Sequence, residues 1–138
     1  MAHTNNAATR FVDSHLDAGR ADKPAFREVD GEQRTLTYGA LAHGSSRAAA
    51  AIQAAGLRRE ERAAMLLLDT NDYPLLFWGA LKAGVVAVPL NTLLSASIYD
   101  VILRDSRASV LFVSAALYDT VEPVLGDNPW LRTIVVVG

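Results

Sequence analysis

The chain has 138 residues, 51% of them hydrophobic and 20% charged, a globular balance with room for one modest domain and a real core. Thirteen basic residues against fifteen acidic ones leave a net charge of −2, which gives no electrostatic basis for binding nucleic acid. The absence of cysteine excludes a disulfide framework, a thiolate metal site and a cysteine nucleophile, and fits a reducing cytoplasm.

Residues 1–22 read as a polar lead-in. Met1 to Arg20 lacks the apolar centre of a signal peptide. One short helix is expected there, around Ala8–Ala18, with Phe11, Val12 and Leu16 as its apolar stripe. Next, Ala25–Val29 and Gln33–Thr37 flank Asp30-Gly31, a strong short turn signal, and predict a β-hairpin. Tyr38–Ala55 predicts a long helix, because Leu41, Ala48, Ile52 and Ala55 recur at helical spacing in an alanine-rich run. Thr37 is placed to cap its start and Gly56 to end it.

Ala63–Leu68 is an unbroken apolar run and predicts a strand buried on both faces. Asn71 is the expected N-cap of the next helix, with Pro74 in its first turn, where a missing N–H costs little. That helix runs to Gly84, its expected left-handed stop. Val85–Val88 predicts a strand by its β-branched content. Ser97 with Asp100 resembles a capping box for a helix reaching Ser106. Val110–Val113 is a further strand, Ser114 a cap for a helix running to Leu125, and Thr133–Val137 the last strand.

Strands alternating with helices imply right-handed crossovers and an α/β fold: a mostly parallel sheet covered by helices, preceded by the N-terminal hairpin. Residues 23–138 are expected to form the α/β unit. The longest charge-free run, Ala83–Tyr99, is interrupted by Pro89 and Asn91, so no membrane span is predicted. A final strand with nothing after it is either an edge strand at a natural terminus or a strand of a polypeptide that continues. The second is the expectation.

Few residues suggest chemistry. Gly44-Ser45-Ser46 lies inside a helix, follows no strand and lacks a lysine, so it fails the context of a phosphate loop; close helix packing is the expected role of Gly44. No G-x-G-x-x-G pattern is present. His3, His15 and His43 are scattered, none with a partner at ligand spacing, and read as surface histidines. Asp69, Asn71 and Asp72 follow a strand, where α/β sheets often bind ligands, but capping and dipole compensation explain them without a ligand. Lys82, in the last turn of its helix, reads as a dipole partner. Phe77 and Trp78 read as packing residues. Arg58-Arg59-Glu60-Glu61-Arg62 reads as a solvated loop of mixed sign.

Two segments carry a family resemblance. Leu36-Thr37-Tyr38-x-x-Leu41 resembles the first signature motif of the adenylate-forming enzymes, the superfamily of acyl-CoA synthetases, luciferases and peptide-synthetase adenylation domains. Ala40 stands where the family usually has a glutamate that completes a capping box, which implies a cap weaker by about 0.5 kcal/mol. Leu81-Lys82-Ala83-Gly84-Val85-Val86-Ala87-Val88-Pro89-Leu90-Asn91 resembles the second motif. Arg62, Asn71, Asp105-Ser106 and Val110–Ser114 match the family's rhythm. Asn6-Ala7-Ala8, Asp22-Lys23-Pro24-Ala25-Phe26 and Val88-Pro89-Leu90-Asn91-Thr92-Leu93-Leu94 are most similar to benzoate-type aryl-CoA ligases.

The resemblance spans the chain from about residue 7 onward. It implies the N-terminal part of an enzyme that activates an aromatic acid with Mg-ATP, forms an acyl-adenylate and pyrophosphate, and transfers the acyl group to CoA. The cofactors it implies are ATP, Mg and CoA. Its expected partner is the remainder of the same polypeptide, its expected location the cytoplasm. In the family's order, the phosphate loop, the adenine and acid pocket, the ribose aspartate and the mobile lysine all come after residue 138. No catalytic, cofactor-binding or metal-binding residue is therefore assigned in this chain. A basic residue that some relatives place after the Pro-x-Asn element is absent from Thr92-Leu93-Leu94. The alternatives are a complete, non-catalytic α/β binding module, or part of another adenylating enzyme such as a fatty acyl ligase or an adenylation domain.

Overall fold

The computed structural model describes residues 6–138. Two compact units emerge from the chain's contacts. One comprises residues up to Gly56 together with Asp69–Gly84, the other Leu57–Leu68 together with Val85–Gly138.

The first unit is a hairpin with helices. Residues Thr9–Asp13 form a π-helical turn that passes into α1, Ser14–Asp17. The expected helix is thus present, but its apolar stripe is not Phe11, Val12 and Leu16. Ala8 and Val12 are buried, whereas Phe11 is 60% exposed and Leu16 is also exposed. The wider π turn departs from the α-helical spacing that would have aligned those three side chains. Asn6 accepts a hydrogen bond from the Ala8 N–H at 2.9 Å and donates to the Leu81 carbonyl at 2.8 Å.

Strands β1, Pro24–Arg27, and β2, Thr35–Thr37, pair antiparallel, with Phe26 opposite Leu36. The hairpin forms, but its connection spans residues 28–34, longer than a two-residue Asp-Gly turn. The reason lies in its side chains. Arg34 donates to the Glu28 carboxylate from Nε at 3.0 Å and from Nη2 at 2.9 Å, closing the loop by an ion pair beyond the ladder.

Helix α2, Tyr38–Ala54, begins where three orphan N–H groups find acceptors. The Tyr38 N–H donates to the Lys23 carbonyl at 3.0 Å and the Gly39 N–H to the Ala21 carbonyl at 2.8 Å. The Ala40 N–H donates to Thr37 Oγ1 at 3.2 Å. The carbonyls of residues 21 and 23 thus support a helix start that lacks the glutamate of a capping box. The buried face is Leu41, Ala42, Ser45, Ala49 and Ile52; Ala55, expected on it, is exposed. Gly56 follows with φ +81°.

Helix α3, Asp72–Ala83, packs on α2 through small residues. A Cβ on Gly79 would lie 2.6 Å from Ala48 Cβ and 3.1 Å from the Ser45 carbonyl oxygen. A Cβ on Gly44 would lie 2.5 Å from Leu75 Cδ2. Gly44 is a packing residue, and Gly79 is its counterpart from α3. Gly84 ends α3 with φ +78°.

The second unit contains a four-stranded, wholly parallel sheet of β3 (Arg62–Leu66), β4 (Val86–Pro89), β5 (Val110–Ser114) and β6 (Thr133–Val137). Its order is β4-β3-β5-β6. Ala63–Leu66 of β3 and all of β5 are buried, as central strands with unbroken apolar sequences should be. Val86 of β4 and Ile134 and Val136 of β6 are exposed at the edges. On one face, Leu66, Leu111 and Val113 pack with Tyr99, Leu103, Val121 and Leu125 into a continuous core.

Helix α4, Ala96–Ser106, has Ser95 at its N-cap position, two residues before the expected Ser97, with no side-chain cap bond. Asp100 does not complete a capping box; it bonds Arg104 Nε at 2.8 Å, an i,i+4 pair. At the other end, Arg62 Nε donates to the Ser106 carbonyl at 2.6 Å. The continuous helix expected over Ser114–Leu125 is instead a 3₁₀ turn at Ala115–Leu117, a single α turn, α5 (Tyr118–Val121), and a second 3₁₀ turn at Glu122–Val124. Pro123 cannot donate the hydrogen bond that a continuing helix requires. Ser114, expected as the cap, ends β5 and accepts the Leu68 N–H at 3.0 Å.

Candidate functional site

The first unit contains a cleft of about 510 Å³, within the range of small-molecule sites. Phe26 and Val29 line it from the hairpin, Asp69 and Thr70 from the loop after β3, and Tyr73, Phe77 and Trp78 from α3. The aromatic wall is ordered by its own contacts. Tyr73 and Phe77 stack at 6.5 Å between centroids, and Phe77 meets Trp78 edge-on at 5.2 Å. Phe77 and Trp78, expected as packing residues, are partly buried and contribute to this wall.

Asn71 is not a side-chain cap. Its backbone N–H donates to Glu28 Oε1 at 2.7 Å, and its Nδ2 donates to the Arg34 carbonyl at 3.2 Å. The start of α3 is thereby tied to the hairpin loop. Glu28 gains donors from Arg34 and from the Asn71 backbone, which hold its carboxyl at a pKa of about 2, below the ordinary 4.5. Asp72 lies 3.9 Å from Arg34 Nη2. Burial, with the Asp69 charge, pushes the Tyr73 phenol up.

Among its lining residues the cleft offers the cation of Arg27 against the carboxylates of Glu28 and Asp69. That donor set does not suit a nucleotide triphosphate, which needs clustered cations or converging backbone N–H groups.

Lys82 is more than a dipole partner. Its Nζ donates to Asp13 Oδ1 at 2.7 Å, the Ala42 carbonyl at 3.1 Å and Ser46 Oγ at 3.1 Å. All three ammonium protons are thus used structurally, with the side chain 14% exposed. Sequence spacing gave no sign of this, because the acceptors lie 36 to 69 residues away.

The histidines do not converge. His43 is exposed on α2. His15 is not a free surface residue; it stacks on Tyr38 at 3.8 Å, and burial, with the charges of Arg20 and Lys23, lowers its pKa. His3 lies outside the described residues. Among the described residues no three His, Asp or Glu side chains cluster as metal ligands, and no helix is long and apolar enough to cross a membrane. The run Arg58–Arg62 is only partly solvated. Arg59 is exposed, but Glu61 accepts from the Arg58 N–H and from Arg132, both at 2.8 Å.

The Pro-x-Asn element is held by a buried phenol. Tyr99 donates to the Asn91 carbonyl at 2.8 Å and accepts the Leu94 N–H at 3.2 Å. Leu93 projects from this loop, 90% exposed.

A family model described as AMP-binding enzyme matches residues 14–137. The chain is 44% identical over 133 residues to a 4-hydroxybenzoate–CoA/benzoate–CoA ligase of Rhodopseudomonas palustris, covering 96% of this chain and 24% of that protein. It is 38% identical over 134 residues to a benzoate–CoA ligase of Thauera aromatica, covering 96% and 25%. Among solved structures, the anthranilate CoA ligase AuaEII in complex with anthranoyl-AMP superposes with a TM-score of 0.88 at 34% identity, over 96% of this chain and 25% of that one. The chain thus spans about a quarter of the length of the curated relatives it matches.

Proposed function

The chain belongs to the AMP-binding enzyme family, and on that premise we propose that it is the N-terminal part of an ATP-dependent aromatic acid–CoA ligase. The complete enzyme would convert benzoate, ATP and CoA to benzoyl-CoA, AMP and pyrophosphate through a benzoyl-adenylate. A carboxylate is a poor acyl donor, and the adenylate supplies the leaving group that the CoA thiol displaces. The observation that carries this reading is the 44% identity to a benzoate-type ligase along nearly the whole chain. ATP and Mg would serve the first step and CoA the second, each bound by residues beyond Gly138.

In this reading the chain is scaffold. Residues 1–22 lead into an α/β subdomain, 23–138, that continues in the complete polypeptide. The complete enzyme works in the cytoplasm, where ATP and CoA are supplied. No residue of this chain is given a catalytic, cofactor-binding or metal-binding role. Adenylation requires preorganised donors around the transferring phosphorus, and the cleft's carboxylates are the wrong charge for that task.

The test is benzoate-dependent pyrophosphate exchange on the 138-residue chain and on the complete polypeptide. Exchange by the complete polypeptide and none by the chain is expected. Turnover by the chain overturns the scaffold reading. Failure of the complete polypeptide on every aromatic acid overturns the aryl-ligase reading.

A further inference from the structure

We propose that His15 is an acid-sensitive latch: its neutral imidazole holds α1 and the loop after it, residues 14–23, against the start of α2, and protonation releases them. The proposal stands apart from the ligase reading, because every contact it uses lies within the first unit. The latch is a stack of two rings. His15 lies over Tyr38, the first residue of α2, with centroids 3.8 Å apart and planes at 25°. In that position His15 Nδ1 is buried and, among the described residues, has no hydrogen-bond partner. A neutral ring there forgoes one accepted bond. A protonated ring would bury a charged donor with no acceptor, which is a larger loss. The surrounding charges act the same way. Arg20 and Lys23 both oppose a cation at the ring, and the start of α2 is the positive end of its dipole. No carboxylate offsets them. Asp13, on the adjoining π turn, is bonded to Lys82. Among the described residues neither Asp17 nor Asp22 pairs with His15. Arg10 on the π turn, and His43 and Arg47 farther along α2, are exposed. The face of Tyr38 attracts a cation, but one ring does not outweigh two cations and a buried, unpaired donor.

The latch closes on the backbone that supports α2. The Ala21 carbonyl accepts the Gly39 N–H at 2.8 Å and the Lys23 carbonyl accepts the Tyr38 N–H at 3.0 Å. The same loop is tied back to α1 by the Arg20 N–H, which donates to the His15 carbonyl at 2.8 Å. His15 thus touches α1, the loop and α2 together. Once released, the imidazolium reaches water, and the N–H groups of Tyr38 and Gly39 lose their acceptors. The other ties of this segment, Asn6 to Leu81 and Asp13 to Lys82, use no group that titrates near neutrality. Release is therefore confined to residues 14–23 and the first turn of α2. Burial, Arg20 and Lys23 hold the imidazole below its ordinary 6.5. A histidine depressed in this way stabilises the closed form above 6.5 and loses that contribution as pH falls below it.

The experiment is amide hydrogen exchange of the complete polypeptide, read by mass spectrometry at about pH 7.5 and about pH 5.5 and corrected for the chemical dependence of exchange on pH. Peptides over residues 14–23 and 38–41 are expected to lose protection several-fold at the lower pH. The loss is at most about tenfold, since one unit below 6.5 a single proton shifts the opening equilibrium by no more than that. Peptides from β3 and β5 are the control and are expected to keep their protection. His15→Phe keeps an aromatic stack and cannot titrate, so its protection over the same residues is expected to be alike at both pH values. Arg20→Gln combined with Lys23→Gln is expected to shrink the loss, because the two cations no longer oppose protonation. Equal protection of the unsubstituted protein at both pH values overturns the proposal. So does an equal loss in His15→Phe, or a loss shared by β3 and β5. If His15→Phe does not fold, the double variant decides: a loss as large as that of the unsubstituted protein overturns the latch, and a smaller one supports it.

Discussion

Lys82 Nζ lies 2.7 Å from Asp13 Oδ1, and the same ammonium holds the Ala42 carbonyl and Ser46 Oγ. One side chain from the last turn of α3 thus fixes the π turn and α2 around it. The favourable position of a cation at a helix end is secondary here, since that effect is worth some tenths of a kcal/mol while charge-assisted hydrogen bonds contribute more.

Lys82→Met keeps the aliphatic stem and removes the three bonds. Unfolding free energy by urea titration should fall by about 2 kcal/mol. Asp13→Asn should cost less, about 1 kcal/mol, because the amide oxygen still accepts. The double variant should cost less than the two losses added together, since the pair shares one interaction. Simple additivity would show that the contact contributes nothing.

Gly79 and Gly44 should differ although both lie between α2 and α3. A Cβ on Gly79 meets Ala48 Cβ and the Ser45 backbone, which cannot move away without shifting the helix. A Cβ on Gly44 meets the tip of Leu75, which can rotate. Gly79→Ala should therefore destabilise by about 1–2 kcal/mol in thermal or urea unfolding, after the gain in helix propensity is offset by overpacking. Gly44→Ala should lie near neutral. The reverse order would contradict the packing described.

Gly84 carries φ +78° at the end of α3, two residues before β4 begins at Val86. Gly84→Val should cost about 1–2 kcal/mol of stability from left-handed backbone strain. Gly84→Asn should cost less, because asparagine tolerates that conformation. Equal losses for the two variants, measured by urea unfolding, would place the cause elsewhere.

The Glu28 carboxyl is 8% exposed and bound by Arg34 and the Asn71 N–H. Its pKa falls from 4.5 to about 2 on folding. A depressed carboxylate contributes stability that is present above its unfolded pKa and is lost as pH falls toward the folded value. The window is therefore between about pH 4.5 and pH 2. Glu28→Gln should lower stability at neutral pH and flatten the acid dependence in that window. Unchanged steepness would mean that other carboxylates govern acid unfolding.

The sequence by itself determined the strands and the helices α2, α3 and α4. β-Branched and apolar runs placed the four parallel strands to within two residues at each end, and Thr133–Val137 was placed without error. Thr37 and Gly84 were legible because capping and left-handed stops are local, set by a few neighbouring backbone groups. The two motifs that flank α2 and α3 carried the family. Only the tertiary structure decided the rest. Whether Asn71 caps its own helix or ties Glu28 and Arg34 depends on a loop 37 to 43 residues away. The work of Lys82 depends on acceptors in α2 and the π turn. The aromatic cleft combines β1, the hairpin connection and α3. Local propensity is written in contiguous residues, whereas these contacts join residues that become neighbours only after the chain has packed, and no periodicity in the sequence records them.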